Sequence, residues 1–191
     1  MKKLIVFDFD KTLSYDDSLM ELFYSEMRGW KYFLRPYYIY LKVLSRFGLS
    51  SAKKEKEKMI CLLFHSEEAR FKAACERQAA SFKLSPIIEI LRHHIEKNDK
   101  VIILSASSIY FLNRVFKDMN VEIIGTTLFC ANGKILNIAR HPFYKEKLAC
   151  LKNAGVEYID DFYFDSKWDE CLMPICKRWH RVKNGIIIEE G

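Results

Sequence analysis

Apolar residues along this chain fall into two patterns, short continuous runs and longer stretches at helical spacing. The runs lie at residues 4–7, 101–104 and 162–164, within strands predicted at 4–7, 100–104 and 161–164, and residues 121–126 predict a further strand. Continuous apolar runs of this length are typical of strands that are buried on both faces of a parallel sheet. Residues 16–84 instead carry apolar positions at helical spacing behind helix-start signals, such as Asp16-Asp17-Ser18 and either Ser50 or Ser51. The pattern predicts an α/β fold with an all-helical insertion after its first strand.

Residues typical of turns and of helix starts divide the rest of the chain. Ser85 and Pro86 predict a helix start, with Ser as N-cap and Pro in the first turn. Asn132 and Gly133 predict a hairpin within residues 127–137, and the last twenty residues predict a short helix, a strand, a turn and an edge strand. We therefore predict a doubly wound, mostly parallel core from residues 1–15 and 85–191, with a helical cap from residues 16–84.

Two carboxylates, Asp8 and Asp10, follow the first strand directly. Ligands of open α/β sheets lie beyond the carboxyl ends of the strands, so these acids are expected at a site and not in the core. Two carboxylates this close repel each other unless a cation lies between them, and oxygen ligands favour Mg²⁺. One of them could then attack a phosphoryl group. The alternative interpretation is an ordinary turn or helix N-cap.

Other strand ends carry polar residues of the same kind. Ser105 and Ala106 close the second strand ahead of a predicted helix, where a hydroxyl and free amides can hold an anion. Asp165 closes the strand at 161–164, and Asp169 lies four residues further on, close enough to reach the same metal. A lysine at a helix start, Lys147 or its alternative Lys145, lies between these two groups in the chain.

Phe7–Leu13 resembles the first motif, Asp-x-Asp-x-Thr, of the haloacid dehalogenase superfamily of phosphatases, and the later strand ends follow that family's order. The resemblance implies that Asp8 is the nucleophile, that Asp10 is acid and base in turn, and that an aspartyl-phosphate forms. It also implies a set of phosphate-binding residues and a set of Mg²⁺ ligands. The phosphate residues are Thr12, Ser105, Ala106 and Lys147, and the metal residues are Asp8, Asp165, Asp169 and Asp10, the last through its backbone carbonyl.

Two positions depart from the family pattern, since Lys11 and Phe164 stand where glycine is common. The helical insertion resembles the cap of the phosphoserine phosphatase-like branch, subfamily IB, in which the cap chooses the substrate. The tail, with Cys176, Trp179 and Gly185, resembles bacterial phosphatidylglycerophosphatase C. This implies a phospholipid phosphate as substrate, and a small soluble metabolite, such as a phosphoserine-like compound or a sugar phosphate, is the alternative.

The cap contains an unusual aromatic and basic stretch at residues 30–47. Lys31, Arg35, Lys42 and Arg46 recur at helical spacing, among many aromatic residues. One interpretation is a helix in a membrane interface, and the other is a helix packed on its neighbours, whose Lys and Arg stems cover apolar surface. The charge run at residues 53–58 predicts a solvated helix start. His141 is expected to be structural.

Composition narrows the partners and the compartment. The net charge of +6 fits an anionic substrate or an anionic membrane surface, and no recognition motif gathers the basic residues for nucleic acid. Six cysteines without a Cys-x-x-Cys pair predict reduced thiols. The first apolar run is too short for a signal peptide. We expect a cytoplasmic protein, with peripheral contact at the inner membrane face left open, as is the oligomeric state.

Two other classes of protein remain as alternatives. A receiver-type signalling domain also has a phosphorylatable aspartate, but it would be shorter and would lack a helical insertion after the first strand. A non-catalytic relative of the phosphatases, serving as a membrane- or partner-binding module, would be expected to have lost some motif positions. All of these positions are filled here.

Overall fold

A computed structural model describes residues 2–47 and 49–191, and its centre is a seven-stranded sheet. The strands are β1 (Leu4–Phe7), β2 (Lys100–Ser108), β3 (Glu122–Ala131), β4 (Lys134–Arg140), β5 (Ile159–Phe164), β6 (Cys176–Lys183) and β7 (Ile186–Glu190). They lie in the order β4-β3-β2-β1-β5-β6-β7. The five middle strands are parallel, and β4 and β7 close the edges as antiparallel partners.

Helices connect the strands and cover both faces of the sheet. The helices are α1 (Ser18–Glu26), α2 (Leu34–Arg46), α3 (Ala52–Phe64), α4 (Glu68–Ala80), α5 (Ile87–Glu96), α6 (Ile109–Val115) and α7 (Lys145–Asn153). Two short 3-10 helices span Gly29–Phe33 and Lys167–Ile175. Helices α1 to α4 all lie between β1 and β2 in the chain, which is the predicted all-helical insertion.

Alternation along the central strands creates two cores. Ile5 and Phe7 of β1 pack with helices α5 and α6 and with the cap helices, in one large cluster. Val6 points to the opposite face, where it joins Phe162 of β5 and Leu151 of α7. This is the geometry that a strand buried on both faces requires. It confirms the predicted doubly wound, mostly parallel fold with an inserted helical cap.

Element boundaries differ modestly from the prediction. Strand β3 runs without a break through the two segments predicted at 121–126 and 127–131, so that one strand pairs with β2 and then with β4. The predicted hairpin about Asn132 and Gly133 is present, and its tip touches the cap, since the Glu68 amide donates to the Gly133 carbonyl. Helix α6 ends at Val115 instead of near Met119.

The division into core and cap stays a prediction, because buried side chains of cap and sheet form a continuous cluster. In the described part of the chain, no helix combines the length and apolar character that crossing a membrane requires. The six cysteines are all free.

Candidate active site

The carboxyl ends of three neighbouring strands build the site. In the sheet register Phe7 of β1 lies beside Ile103 of β2 and Tyr163 of β5. The residues that follow these three positions therefore emerge at the same edge. This brings Asp8, Ser105 and Asp165 to one cleft, although up to 157 positions separate them in the chain (165 − 8).

Lys147 is the cation that meets this edge. Its ammonium nitrogen lies 2.6 Å from Asp8 Oδ1 and 2.6 Å from Asp169 Oδ1, and its side chain is almost wholly buried. Burial opposes the charged form, but the two carboxylates raise the pKa of Lys147 above its usual value. Lys147 therefore stays protonated between two acids. Lys145, the alternative, is exposed and lies over the ring of Tyr144.

Three carboxylates gather around this lysine. Oxygen atoms of Asp8, Asp165 and Asp169 all lie within 4.8 Å of one another. Burial, followed by the charge of Asp169, raises the pKa of Asp165 to about 6, and burial raises the pKa of Asp8 as well. Three carboxylates and one ammonium leave two negative charges. The donor set, its spacing and this residual charge fit a divalent cation that prefers oxygen, such as Mg²⁺.

The Asp10 carboxylate is turned away from that group and toward the cap. Its Oδ1 accepts a hydrogen bond from the Ser18 amide at 2.8 Å, and its Oδ2 accepts one from the Ser107 hydroxyl at 2.6 Å. Burial, followed by the charge of Asp17, raises the pKa of Asp10. A raised pKa favours the protonated form of Asp10, which is the form that can donate a proton. The metal contact through its backbone carbonyl stays a prediction.

An irregularity in β2 frees the backbone beside Asp8. The register between β2 and β3 shifts between Leu104 and Ser108, so the residues between them leave the regular ladder. Ser105 Oγ accepts from the Ser107 amide at 3.0 Å, and the Ala106 carbonyl accepts from Thr126 Oγ1 at 2.7 Å. These bonds hold the irregular end of β2, whose Ser105 and Ala106 line the cleft. Ser108 caps helix α6, since its side chain accepts from the Tyr110 amide.

The first motif folds into an irregular turn directly after β1. Thr12 is wholly buried, and its hydroxyl donates to Asp8 Oδ2 at 3.4 Å, so it contacts the predicted nucleophile from behind. Its predicted contact with a phosphate stays a prediction. Lys11 adopts a left-handed backbone with φ of 61°. Glycine adopts this conformation without steric cost, which explains why glycine is common at this position of the motif. The Lys11 side chain lines the cleft.

Cap helices close the other side of the cleft, which has a volume of about 230 Å³. Asp17, Lys42, Glu55 and Lys56 line it. The prediction of a solvated charge run at residues 53–58 is wrong for two of its members. Glu55 is buried, and Lys56 Nζ donates to the Ala106 carbonyl at 3.2 Å, because helix α3 turns this face toward the core.

Aromatic residues form the rim of the cleft. Phe143 is 38% exposed and Trp168 is 46% exposed, and their ring centroids lie 6.0 Å apart. His141 lies behind Phe143 and is buried, with Nδ1 2.9 Å from Thr126 Oγ1. Burial, with the charges of Lys56 and Lys53, lowers the pKa of His141 to about 2. A neutral, buried histidine fits the structural role expected for it.

Sequence reasoning missed the residues that hold Asp10. Ser18 and Ser107 hydroxyls lie 2.6 Å apart, one from the cap and one from the core. Neither was predicted to contact Asp10. Nothing in their local sequence indicates that two segments 89 residues apart meet at one carboxylate (107 − 18). Asp17 was likewise interpreted as an N-cap, which it is, since it accepts from the Met20 amide.

Among known protein families, a model described as haloacid dehalogenase-like hydrolase matches residues 5–169. A search of curated proteins gives no significant match.

Solved structures share the fold. A protein with unknown function from Bordetella pertussis Tohama I superposes with a TM-score of 0.80 at 19% identity, covering 95% of this chain and 90% of that one. A phosphoserine phosphohydrolase-like protein from Francisella tularensis has a TM-score of 0.69 at 17% identity, covering 95% and 87%. A substrate-bound phosphoserine phosphatase has a TM-score of 0.63 at 14% identity, covering 94% and 85%. At these identities the similarity shows a shared fold.

The carboxylate cluster makes a prediction about metal and stability. If Mg²⁺ binds only the folded protein, a Mg²⁺ concentration of about 100 times the Kd raises the free energy of unfolding by about 2.7 kcal/mol. This corresponds to a rise in Tm of roughly 5–10 °C. We expect Asp165→Asn to lose most of this increment because it replaces one of the three clustered carboxylates by a neutral amide, which binds a divalent cation more weakly. Without Mg²⁺ the variant should melt at or above the wild-type temperature, since one repelling charge is gone.

Differential scanning fluorimetry with and without Mg²⁺ measures both effects. Asp118→Asn is the matched control, because the Asp118 side chain is 82% exposed and lies outside the cleft. An unchanged Mg²⁺ shift in Asp165→Asn would contradict the metal site.

Proposed function

The chain belongs to the haloacid dehalogenase-like hydrolase family, and from this premise we propose that it is a Mg²⁺-dependent phosphatase of phosphomonoesters. The observation that carries the proposal is Lys147, held between Asp8 and Asp169 beside Asp165. A nucleophilic carboxylate, a fixed cation and a divalent-ion site at one point are what phosphoryl transfer requires.

Asp8 is the proposed nucleophile. One oxygen of its carboxylate attacks phosphorus, the bond from phosphorus to the ester oxygen breaks, and an aspartyl-phosphate forms. Lys147 and the Thr12 hydroxyl, which contact the two Asp8 oxygens, support this role because they orient the carboxylate. Water then attacks phosphorus, which releases inorganic phosphate and regenerates Asp8.

Asp10 is the proposed acid and base. It gives its proton to the departing ester oxygen in the first step and accepts a proton from the attacking water in the second. Its raised pKa supports the acid role. Its two hydrogen bonds, from Ser18 and Ser107, fix the carboxylate in one orientation through both steps.

The charge that develops on the phosphoryl oxygens needs fixed partners. We propose that Ser105, the Ala106 amide and Lys147 hold these oxygens. Asp8, Asp165 and Asp169, with the Asp10 carbonyl, are the proposed ligands of Mg²⁺, which when bound offsets the negative charge of phosphate and carboxylates.

A phospholipid phosphomonoester, such as phosphatidylglycerophosphate, is the proposed substrate. The exposed Phe143 and Trp168 at the rim support it, because they offer apolar surface to the part of a lipid next to its headgroup. Lys42 and Lys56 in the cleft wall support a second anionic group on the substrate. The resemblance of the tail to phosphatidylglycerophosphatase C points the same way.

A small soluble phosphomonoester is the second candidate, and the size of the cleft favours it. A volume of about 230 Å³ holds a headgroup or a small metabolite but not acyl chains, which would have to remain outside. The cleft wall carries two acids, Asp17 and Glu55, and two lysines, Lys42 and Lys56. Such a mixture of charges would also suit a zwitterion. Phosphoserine phosphatases among the structural neighbours add to this candidate.

A non-catalytic module is the alternative from another class, and the assembled site disfavours it. A protein that had lost catalysis would have no need to keep Lys147 buried between two carboxylates, which costs desolvation of every charge involved.

The role of Asp8 predicts the effect of its amide. Asp8→Asn should lower kcat by at least about 10³-fold, since the nucleophile is lost, and should retain the fold. Phosphate release from para-nitrophenyl phosphate with Mg²⁺ is the measurement. The control Asp16→Asn changes an exposed neighbouring carboxylate and should keep wild-type activity. Activity of Asp8→Asn near the wild-type level would remove the assignment.

The role of Asp10 predicts a different kinetic signature. Nitrophenolate leaves without needing a proton, so the Asp10→Asn variant should still form the aspartyl-phosphate at Asp8. The second step, hydrolysis of the aspartyl-phosphate, should be slow because its base is missing. We expect a burst near one equivalent of nitrophenolate per site, followed by turnover about 10²-fold or more below wild type. Stopped-flow absorbance measures the burst. Asp8→Asn should show none, and a full steady-state rate in Asp10→Asn would contradict the acid–base role.

A substrate panel discriminates the two candidate substrates. We expect a short-chain, water-soluble phosphatidylglycerophosphate to exceed phosphoserine, glycerol 3-phosphate and glucose 6-phosphate in kcat/KM by about tenfold or more, through its contacts with the rim and the lysines. Short chains separate preference of the cleft from presentation in a bilayer. A soluble metabolite with the higher kcat/KM would overturn the lipid substrate and leave the phosphatase assignment intact.

A further inference from the structure

The cap displays an apolar surface that no part of the described chain covers. Nine of the exposed large hydrophobic side chains lie between Trp30 and Leu49. We name this region the aromatic surface, and it includes Trp30, Phe33, Ile39, Tyr40, Phe47 and Leu49. Phe33 is 83% exposed and Trp30 is 68% exposed. Single exposed apolar residues are ordinary, but a contiguous group of this kind marks an interaction site.

Helix α2 carries apolar residues on both of its sides, since it buries Tyr38 and Leu41 and exposes a further apolar set. Its inner face carries the cations: Arg35 stacks over the Tyr32 ring at 4.4 Å, and Lys42 contacts Met20 and Tyr38. Its outer face carries Tyr37, Ile39, Tyr40 and Val43. The stripe of basic residues predicted from the sequence therefore packs inward, as the second interpretation expected, and the Arg46 side chain lies outside the described residues.

The chain segment that carries the aromatic surface has charges of one sign, and the acids near helix α2, Asp17 and Glu55, lie on its cleft side. Residues 27–54 contain seven Lys and Arg and no Asp or Glu. Lys31 donates to the Leu63 carbonyl, and Arg35 contacts aromatic rings, so the contacts of these two cations leave their charges uncompensated. Arg28 and Lys54 are exposed. The segment that carries the aromatic surface is therefore basic, and its exposed cations lie beside that surface in the chain.

We propose that the aromatic surface docks on an anionic lipid bilayer and lies in its interface. Trp and Tyr favour the headgroup region, apolar side chains enter the acyl boundary, and basic residues behind them attract anionic lipid. A second copy of this chain is a poor occupant, because a symmetric contact would place two such basic segments against each other. Docking extends the proposed function by bringing the cleft to a lipid, but the binding itself does not depend on catalysis.

The position of the cleft agrees with such docking. Lys42 lies on the inner side of helix α2 and lines the cleft, while Tyr40 and Val43 of the same helix face outward. A helix with its side chains is about 10–12 Å across. The aromatic surface and the cleft wall are thus two sides of one helix, so a headgroup reaching the cleft stays near the bilayer.

Vesicle sedimentation tests the proposal. Asp8→Asn protein should pellet with phosphatidylcholine vesicles containing about one third phosphatidylglycerol, far less with pure phosphatidylcholine, and less again at about 0.5 M salt. Because Asp8→Asn lacks the nucleophile, this result is independent of whether the protein is a phosphatase. No difference between the two vesicle compositions would overturn the proposal.

Two variants locate the contact. The double variant Phe33→Ser/Phe47→Ser should lower the bound fraction about tenfold through lost apolar insertion, with unchanged activity on para-nitrophenyl phosphate. Ile186→Ser/Ile188→Ser removes two exposed isoleucines from β7 and should bind as the wild type does. Trp30→Ser/Leu49→Ser repeats the test should the first variant misfold. Equal binding by the aromatic-surface variants, or a dimer that they dissociate in sedimentation velocity, would overturn the proposal.

Discussion

An excess of buried negative charge at one edge of the sheet is the constraint on which this structure depends. Asp8, Asp165 and Asp169 approach within a few ångströms, where their repulsion would oppose folding if nothing compensated it. Lys147 offsets part of it by contacting two of the three carboxylates, and the residual negative charge fits a divalent cation that prefers oxygen ligands. Bringing these carboxylates together is costly because their charges lose contact with water. The cations that compensate the carboxylates would also stabilise the negative charge of a bound anionic ester.

The sheet explains why so much of this site could be predicted. Parallel strands that start on one side and end on the other deliver the residue after each strand to a common edge, so an apolar run followed by a carboxylate indicates both the strand and its site residue. Asp8, Ser105 and Asp165 follow this rule. Lys147 does not follow a strand, and only its order between the other motifs distinguished it from Lys145. Its burial against Asp8 depends on how α7 packs beneath β1 and β5, a tertiary property.

Other features could not be predicted because they depend on which face a helix turns inward. Periodicity reveals that helix α2 has two faces but not which one packs, since aromatic residues suit a core and basic residues with long stems suit its border. The run at residues 53–58 is similar: a string of charges is usually solvated, yet helix α3 directs Glu55 and Lys56 into the cleft. Local sequence describes a helix surface, and the partner of that surface is decided by segments far away in the chain.

The hydrogen bonds across the boundary of cap and core show why substrate choice and catalysis would be linked in such a protein. The cap residue Ser18 contacts Asp10 and Ser107, and the cap residue Lys56 contacts the Ala106 carbonyl in the proposed phosphate loop. A substrate that engages Lys56 or Lys42 therefore acts on the same helical insertion that contacts Asp10 and the Ala106 carbonyl. Binding energy from the non-reacting part of the substrate can then be expressed as correct placement of Asp10 and not only as tighter binding. Under the proposed function, a cap built this way would select its substrate by aligning Asp10 and the phosphate-binding residues, so a poorly fitting ester would bind and still turn over slowly.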